Sequence, residues 1–367
     1  MNGMKRKVME SSTGGNTQVS THEWMRRRPA MYIGRIGSSG LSHLLGDLIL
    51  QVATELSAKE IKMELRKSGK IILTLRNASV NRNHLFAAIE GKPSTGALSL
   101  TVCVALSTSF VIVLKGKKYR VDNNGAVTPR LLKTANGIYR EVHFTFSPDR
   151  MLFGDTGPEE LMFYQLVSEV ALTMPDVKIV VRSNYTQPFT QFVAHCPKGI
   201  RHFLDLAEGR ADGREFEQGL YFNEQGVSGQ IGWFYAQWCP SGTQVISFAN
   251  GRIALKGGSH VDGVVEGITE AIIKRTKRKK EYSVDADKVV SNLCLAVSVW
   301  GDDFSYAGST KDCLDHEQTK KVIKKTVAGK VEEWMQKSPE DAEKFLQRFS
   351  TVQRIPDFLQ QILKNKK

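Results

Sequence analysis

The chain has 367 residues, of which 41% are hydrophobic and 24% charged, and its formal net charge is +13. This length suits about two domains with separate cores, and the composition excludes a disordered tail or a fibre. The positive charge predicts a polyanionic partner, nucleic acid first, because lysine and arginine neutralise phosphates and release counterions.

Neither a long uncharged apolar run nor the apolar segment of a signal peptide occurs in the sequence. We therefore expect a cytoplasmic protein, associated with the nucleoid and without a membrane partner. The 5 cysteines are scattered and never spaced as CxxC, so neither a metal site nor a disulfide framework is predicted.

Residues 1–20 are polar and predict a flexible N-terminal arm. A first α+β domain is predicted over residues 21–197, because strands alternate with packing helices. Its elements are predicted as a helix at 41–56, strands at 61–65 and 71–75, a helix at 98–106, strands at 110–114 and 140–146, a helix at 159–173 and a strand at 177–182.

One charged group inside this domain predicts a hairpin turn that leads into a basic strand. Its members are Lys115, Lys117, Lys118 and Arg120. We expect it to be a solvated turn.

A second domain is predicted over residues 198–340. Its elements are a helix at 200–208, strands at 219–223, 228–237 and 244–248, a helix at 261–273, a strand at 293–300 and a helix at 317–335. A helical tail is predicted over 341–367, within a stretch from 338 to 363 that reads as two helical pieces separated at Pro356.

Three blocks of sequence carry a family resemblance. They are Arg-Arg-Arg-Pro-Ala-Met-Tyr-Ile-Gly at 26–34, Phe-Ala-Asn at 248–250 with Gly-Gly-Ser-His-Val-Asp-Gly at 257–263, and Leu-Cys-Leu-Ala-Val-Ser-Val at 293–299, followed by Ser-Thr-Lys-Asp at 309–312. In this order they resemble the ATPase and transducer region of DNA gyrase B and its type IIA topoisomerase relatives.

The resemblance implies an α+β fold. Its first part would be a two-layer sandwich of mixed sheet and helices of the GHKL (Bergerat-type) class, and its second a βαβ-type transducer domain. The blocks do not extend into the family's DNA-cleaving TOPRIM segment, so we expect no DNA cleavage by the chain itself.

In the family, the first helix carries a glutamate that activates water and, four residues later, an asparagine that holds magnesium. Asp47 and Gln51 occupy the matching positions, and their spacing keeps both on one helix face. Both functional groups are displaced by about 1 Å, an error that can cost about 10²-fold in rate. Asp47 is thus a candidate general base, or simply a polar residue of an amphipathic helix.

The other nucleotide-site positions are altered as well. Asn77 stands where the family has the aspartate that recognises adenine, and Ala78 and Val80 add side chains where it has glycine. Gly96 is the one glycine left in the phosphate loop, after a connection too short for a lid.

The transducer loop of the family, Gln-Thr-Lys, has lost its glutamine here. Thr310 and Lys311 remain, and Lys311 either contacts a phosphate or is an exposed lysine. We therefore expect no cofactor, with ATP and magnesium kept as the alternative.

Two basic clusters predict a DNA-binding surface on the second domain. They contain Lys274, Arg275, Lys277, Arg278, Lys279 and Lys280 in the first, and Lys320, Lys321, Lys324 and Lys325 at helical spacing in the second. The alternative for both is a solvated surface.

These features together favour a gyrase B-like pseudo-ATPase. It would bind DNA, a topoisomerase subunit or a second copy of itself, and modulate DNA topology without hydrolysing ATP. The alternatives are a slowly hydrolysing ATP-binding switch and a gyrase mimic or inhibitor that binds no DNA.

Overall fold

The computed structural model describes residues 20–92, 98–122, 127–128, 138–185, 189–209, 212–239, 242–277, 282–284, 286–308 and 311–350. The chain divides into two compact units. One holds the described residues as far as Phe163 together with Val181–Gln191, and the other holds Tyr164–Val180 and the described residues from Phe192 onward. No helix in the described ranges is long and apolar enough to cross a membrane.

The first unit combines short helices with a sheet. Its helices are α1 (Thr21–Arg27), α2 (Ala30–Ile33), α3 (Ser38–Thr54), α4 (Arg82–Ile89), α5 (Leu98–Ala105) and α6 (Arg150–Phe153). Its strands are β1 (Glu60–Leu65), β2 (Ile71–Arg76), β3 (Val80–Asn81), β4 (Ser107–Leu114), β5 (Lys117–Val121), β6 (Val127–Thr128), β7 (Ile138–Tyr139) and β8 (Val142–Pro148).

Three elements lie where the chain passes between the units. They are α7 (Glu160–Thr173), β9 (Lys178–Ser183) and β10 (Thr190–Ala194). The large sheet runs in the order β10-β9-β1-β2-β8-β4-β5-β6, and β3 pairs separately with β7.

The alternation of apolar residues explains this sheet. Ile61, Met63 and Leu65 of β1 are buried, while the residues between them are half-buried, and β2 pairs with β1 antiparallel in the same pattern. One sheet face therefore packs on the helices. This confirms the predicted α+β class.

The second unit carries a smaller sheet. Its helices are α8 (Arg201–Glu208), α9 (Ser259–Thr276), α10 (Ala286–Val290), α11 (Glu317–Lys337) and α12 (Pro339–Gln347). Its strands are β11 (Asp212–Glu224), β12 (Val227–Trp238), β13 (Gln244–Ala249), β14 (Arg252–Ile253) and β15 (Leu293–Trp300), in the order β11-β12-β15-β13-β14.

Strand β13 runs parallel to β15, and α9 lies in the connection between them. This is the βαβ unit that the resemblance implied. Leu295 and Val297 of β15 belong to a core shared with α9, α11 and α12, whereas Cys294 and Ala296 belong to a separate core with α8. The central strand is therefore buried on both faces.

Helices α9 and α11 approach each other through two glycines. A Cβ atom added at Gly263 would lie 2.9 Å from the backbone oxygen of Lys320, and one added at Gly267 would lie 2.7 Å from that of Lys324. Only glycine at these positions permits this separation. The backbone of α9 therefore packs directly against α11 at two points, which are one helical turn apart.

The described cysteine thiols are not joined in disulfides, and Cys103, Cys239 and Cys294 are buried. Of the helical pieces predicted within 338–363, α12 accounts for the first. The region around Pro356 lies outside the described residues.

Candidate functional site

The basic motif at 26–34 spans α1 and α2. Arg26 donates to the backbone oxygen of Ala105 (2.7 Å) and pairs with the carboxylate of Asp149 (2.5 Å). Asp149 in turn accepts from the backbone N–H of Met151 at the start of α6. Arg26 therefore fastens α1 to the end of α5 and the start of α6.

The two positions that match the family's base and magnesium ligand lie on α3, as their spacing predicts. Asp47 is half-buried, and Gln51 is 7% exposed. The backbone N–H of Leu100 donates to Oε1 of Gln51 over 2.8 Å in a buried hydrogen bond. Because Leu100 is the third residue of α5, Gln51 satisfies an N–H at the start of that helix.

Asp47, on the same face of α3 as Gln51, interacts electrostatically with Cys103 of α5. Burial raises the pKa of the Cys103 thiol far above its usual range, and the negative charge of Asp47 raises it further. Cys103 is therefore an inert buried thiol.

The adenine-recognition position lies directly after β2. Asn77 is exposed with a φ of 49°, and its Nδ2 donates to Oε1 of Glu60 over 2.8 Å. Ala78 is 3% exposed and Val80 is fully buried. The side chains that replace glycine therefore point into the protein interior.

A helix follows where the family would begin its lid. Asn81 accepts from the backbone N–H of Asn83 and of His84, which caps α4. The hydroxyl of Thr101 then donates to the backbone oxygen of Ala88 (2.6 Å), which ties α5 to α4. Gly96 lies outside the described residues.

The transducer-loop position Lys311 is exposed and has a φ of 56°. Its Nζ lies 5.8 Å from the centroid of the Tyr306 ring, at the distance of a cation–π contact. Thr310 lies outside the described residues.

The predicted DNA-binding lysines on α11 face carboxylates of α9. Lys320 pairs with Glu266 (2.6 Å), and Lys324 lies 3.4 Å from both Glu266 and Glu270. Lys321 pairs with Glu317 (3.6 Å) within its own helix. These pairs reduce the positive field that a phosphate would meet.

The cluster at the end of α9 is divided. Lys274 pairs with Glu332 of α11 (2.5 Å), while Arg275 and Lys277 are exposed. Together with Lys325, they form no ion pair with a carboxylate in the part of the chain that the structure describes. Arg278, Lys279 and Lys280 lie outside that part.

The sequence did not predict the acidic residues that pair with these lysines. The signal was available, because Glu266 and Glu270 stand four residues apart and therefore share a helix face. It did not show that this face would lie against α11.

A buried histidine was also missed. His260, the second residue of α9, is fully buried, and neither ring nitrogen has a hydrogen-bond partner among the described residues. Burial lowers its pKa to about 4. It follows Gly257-Gly258-Ser259 in the second family block, which was the only signal for it.

No group of three or more histidine, cysteine, aspartate or glutamate side chains within the described ranges could hold a metal ion.

The chain is similar in sequence to DNA gyrase B proteins. Residues 199–355 match the family model for DNA gyrase B. The B subunit of DNA gyrase from Archaeoglobus fulgidus is 26% identical over 364 residues, which cover 89% of this chain and 56% of the relative. The chloroplastic/mitochondrial DNA gyrase B of rice, Oryza sativa, is 20% identical over 390 residues, which cover 94% of this chain and 53% of the relative. The chain thus spans about half the length of these curated relatives.

Two solved structures share the fold. The 43K ATPase domain of Thermus thermophilus gyrase B, in complex with an aminocoumarin, superposes with a TM-score of 0.73 at 22% identity, covering 90% of this chain and 94% of that one. The B-subunit of the DNA gyrase from Myxococcus xanthus gives 0.70 at 23% identity, covering 88% of this chain and 98% of that one. Residues 199–355 are therefore similar in sequence to DNA gyrase B, and the chain shares the fold of these two gyrase B structures.

Proposed function

We propose that this protein is a gyrase B-like pseudo-ATPase. It keeps the ATPase and transducer scaffold, binds DNA, a topoisomerase subunit or a second copy of itself, and modulates DNA topology at the nucleoid without hydrolysing ATP. The relatives that it matches carry the name DNA gyrase B, which makes DNA topology the process to test first.

The hydrogen bond from Leu100 to Gln51 is the observation that carries the proposal. A magnesium ligand at this position must direct its carbonyl oxygen to the metal. The oxygen of Gln51 instead accepts from a buried backbone N–H. Redirecting it would leave that N–H unsatisfied, at a cost of about 1–3 kcal/mol.

The adenine side of the site supports the same conclusion. Asn77 is neutral, and its amide is engaged with Glu60. Val80 and Ala78 are packed into the interior. Their side chains occupy positions where glycine would let the adenine ring approach the backbone. These residues do not fit magnesium and ATP.

The scaffold that would serve in binding is intact by contrast. The β13-α9-β15 unit and the tight α9–α11 pair build a well-packed second unit with a buried central strand. On its surface Arg275, Lys277 and Lys325 are the described members of the predicted DNA-binding set, and none of them pairs with a carboxylate in the described ranges.

Titration calorimetry tests the nucleotide part. We expect no saturable heat when magnesium and ATP are injected at millimolar concentration, and the same baseline from the Asp47→Ala variant. A gyrase B ATPase domain in the same buffer is the positive control. Saturable heat that disappears in Asp47→Ala would support the ATP-binding switch instead.

A second experiment tests the partners. We expect the protein to retard a DNA duplex in a gel or co-elute with the DNA-cleaving partner of gyrase B, and to change plasmid supercoiling by gyrase. Lys274→Gln, Arg275→Gln and Lys277→Gln together should weaken the DNA complex. A protein that does none of these would refute the proposal, and co-elution without any DNA complex would favour the mimic.

A further inference from the structure

The β4–β5 hairpin closes through a tight turn at Lys115 and Gly116. Leu114 pairs with Lys117 across the turn, and the two turn residues have φ values of 48° and 77°. Two successive positive φ values are typical of the type I′ turn that joins twisted antiparallel strands. The predicted hairpin is therefore confirmed, and its geometry is regular.

Four cations concentrate on this hairpin, and we call them the basic hairpin: Lys115, Lys117, Lys118 and Arg120. All four are exposed, and none forms an ion pair with a carboxylate of the residues that the structure describes. Lys115 places its Nζ 5.5 Å from the centroid of the Tyr139 ring. The lysines of α11, by comparison, are largely matched by glutamates.

The strand register shows where two of these four charges point. Lys118 pairs with Val113 and Arg120 with Val111. Val111 and Val113 are half-buried, whereas Phe110 and Ile112 lie in the core. Lys118 and Arg120 therefore stand on the sheet face that turns away from the core, two residues apart, which is about 6.6 Å along a strand.

An exposed strand with repeated like charges is unfavourable by itself, because close cations repel one another. A polyanion removes this repulsion and gains entropy from the counterions that its phosphates release.

We propose that the basic hairpin binds the phosphodiester backbone of duplex DNA. The inference rests on the DNA-binding part of the proposed function and adds to it a contact site in the first unit. The hairpin touches phosphates, so it contributes affinity without sequence preference.

A matched pair of variants tests it. The hairpin variant carries Lys117→Gln, Lys118→Gln and Arg120→Gln. The control carries Arg66→Gln, Lys67→Gln and Lys70→Gln, which removes three charges from the β1–β2 turn. The β1–β2 turn lies at the opposite end of the same sheet, because Ile71 pairs with Phe146 and Phe146 with Phe110.

The measurement is the affinity for a fluorescent DNA duplex of arbitrary sequence across a salt series. The slope of log K against log salt should become shallower by at least about 2 in the hairpin variant, close to 1 for each phosphate that Lys118 and Arg120 no longer bind. The control should retain the native slope. Equal slopes in the two variants, or a hairpin variant that binds like the native protein, would overturn the inference.

A third variant, Lys321→Gln with Lys325→Gln, separates the hairpin from the α11 surface. Weaker binding in the hairpin variant alone supports the inference and counts against α11 as the DNA-binding element. Weaker binding in the α11 variant alone overturns the inference and leaves the proposed function standing. An RNA duplex of the same length tests whether the bound nucleic acid is DNA. If the native protein binds the RNA duplex more tightly than the DNA duplex, the assignment to DNA is overturned.

Discussion

Gln51 and Leu100 are joined by a buried hydrogen bond of 2.8 Å between a side-chain oxygen of α3 and a backbone N–H of α5. The bond satisfies a helix N-terminus that would otherwise have an unpaired donor in the interior. A position that the resemblance assigns to metal binding therefore stabilises the fold of the first unit.

Gln51→Ala should destabilise the protein by about 1–3 kcal/mol, because the N–H of Leu100 loses its buried acceptor. Alanine is the better helix former, so helix propensity cannot account for a loss of stability. Thr54→Ala on the same helix is the control, since its hydroxyl donates to the backbone oxygens of Leu50 and Gln51 within α3. Urea unfolding measures both, and equal destabilisation would contradict the assigned role of Gln51.

Restoring the family's side chains should not restore the reaction. A variant with Asp47→Glu, Gln51→Asn and Asn77→Asp keeps Ala78 and Val80 in the interior, where their side chains still exclude the close approach that glycine allows. We expect phosphate release from ATP to stay at background. Turnover above that of the native chain would show that the three polar residues alone had disabled the site.

Glu266→Gln should strengthen DNA binding if α11 contacts DNA. The substitution removes the carboxylate that pairs with Lys320, so this lysine becomes available to a phosphate, while Glu270 still faces Lys324. The salt slope should steepen by about 1. Glu343→Gln removes the same charge from an exposed position of α12 and should change the slope little. If both variants change the salt slope equally, the stronger DNA binding is an effect of net charge alone.

Gly267→Ala should destabilise the second unit by about 1–3 kcal/mol, because the new methyl group would force α9 away from α11. Its Cβ would lie 2.7 Å from the backbone oxygen of Lys324. Gly329→Ala is the control within α11, where nothing lies within 4 Å of the added atom. It should stabilise by up to about 1 kcal/mol through helix propensity. Thermal unfolding with opposite shifts of Tm would confirm the close approach of the helices.

Acid should weaken the fold through His260. Its pKa is lowered to about 4 by burial, whereas the unfolded chain takes up the proton near the ordinary value of 6.5. The stabilisation is therefore complete above about pH 6.5 and is lost as pH falls toward 4, by about 3 kcal/mol in total. Urea unfolding of the native protein and of His260→Gln across this range should show the steeper pH dependence in the native protein. If the unfolding free energies of the two proteins change in parallel with pH, the assigned role of His260 is contradicted.

Much of the fold could be predicted from local patterns. Strict alternation in β1 and β2 and the apolar run of α5 placed these elements within one residue of their observed bounds. The strand predicted at 219–223 is only the second half of β11. Its register shifts between Glu215 and Gln218, where Phe216 has a φ of 54°, and this bulge interrupts the alternation on which the prediction depended.

The site was less predictable, because its character depends on contacts between distant residues. The spacing of Asp47 and Gln51 predicted a shared face of α3, yet the partner of Gln51 lies 49 residues away. Periodicity likewise placed Lys320 and Lys324 on one face of α11, but only the packing of α9 showed that Glu266 and Glu270 lie opposite them. Helix α4 was missed because the connection after Val80 was matched to the family's lid, although asparagine is a common N-cap residue.

Gly263 and Gly267 have a consequence for how the second unit opens. Where the backbone of one helix packs directly against its neighbour, neither helix can rotate or fray at the contact while the other stays in place. Their amides should therefore become exchangeable with solvent in one cooperative event and share a single protection level along the contact, as α9 and α11 behave as one structural element in local unfolding.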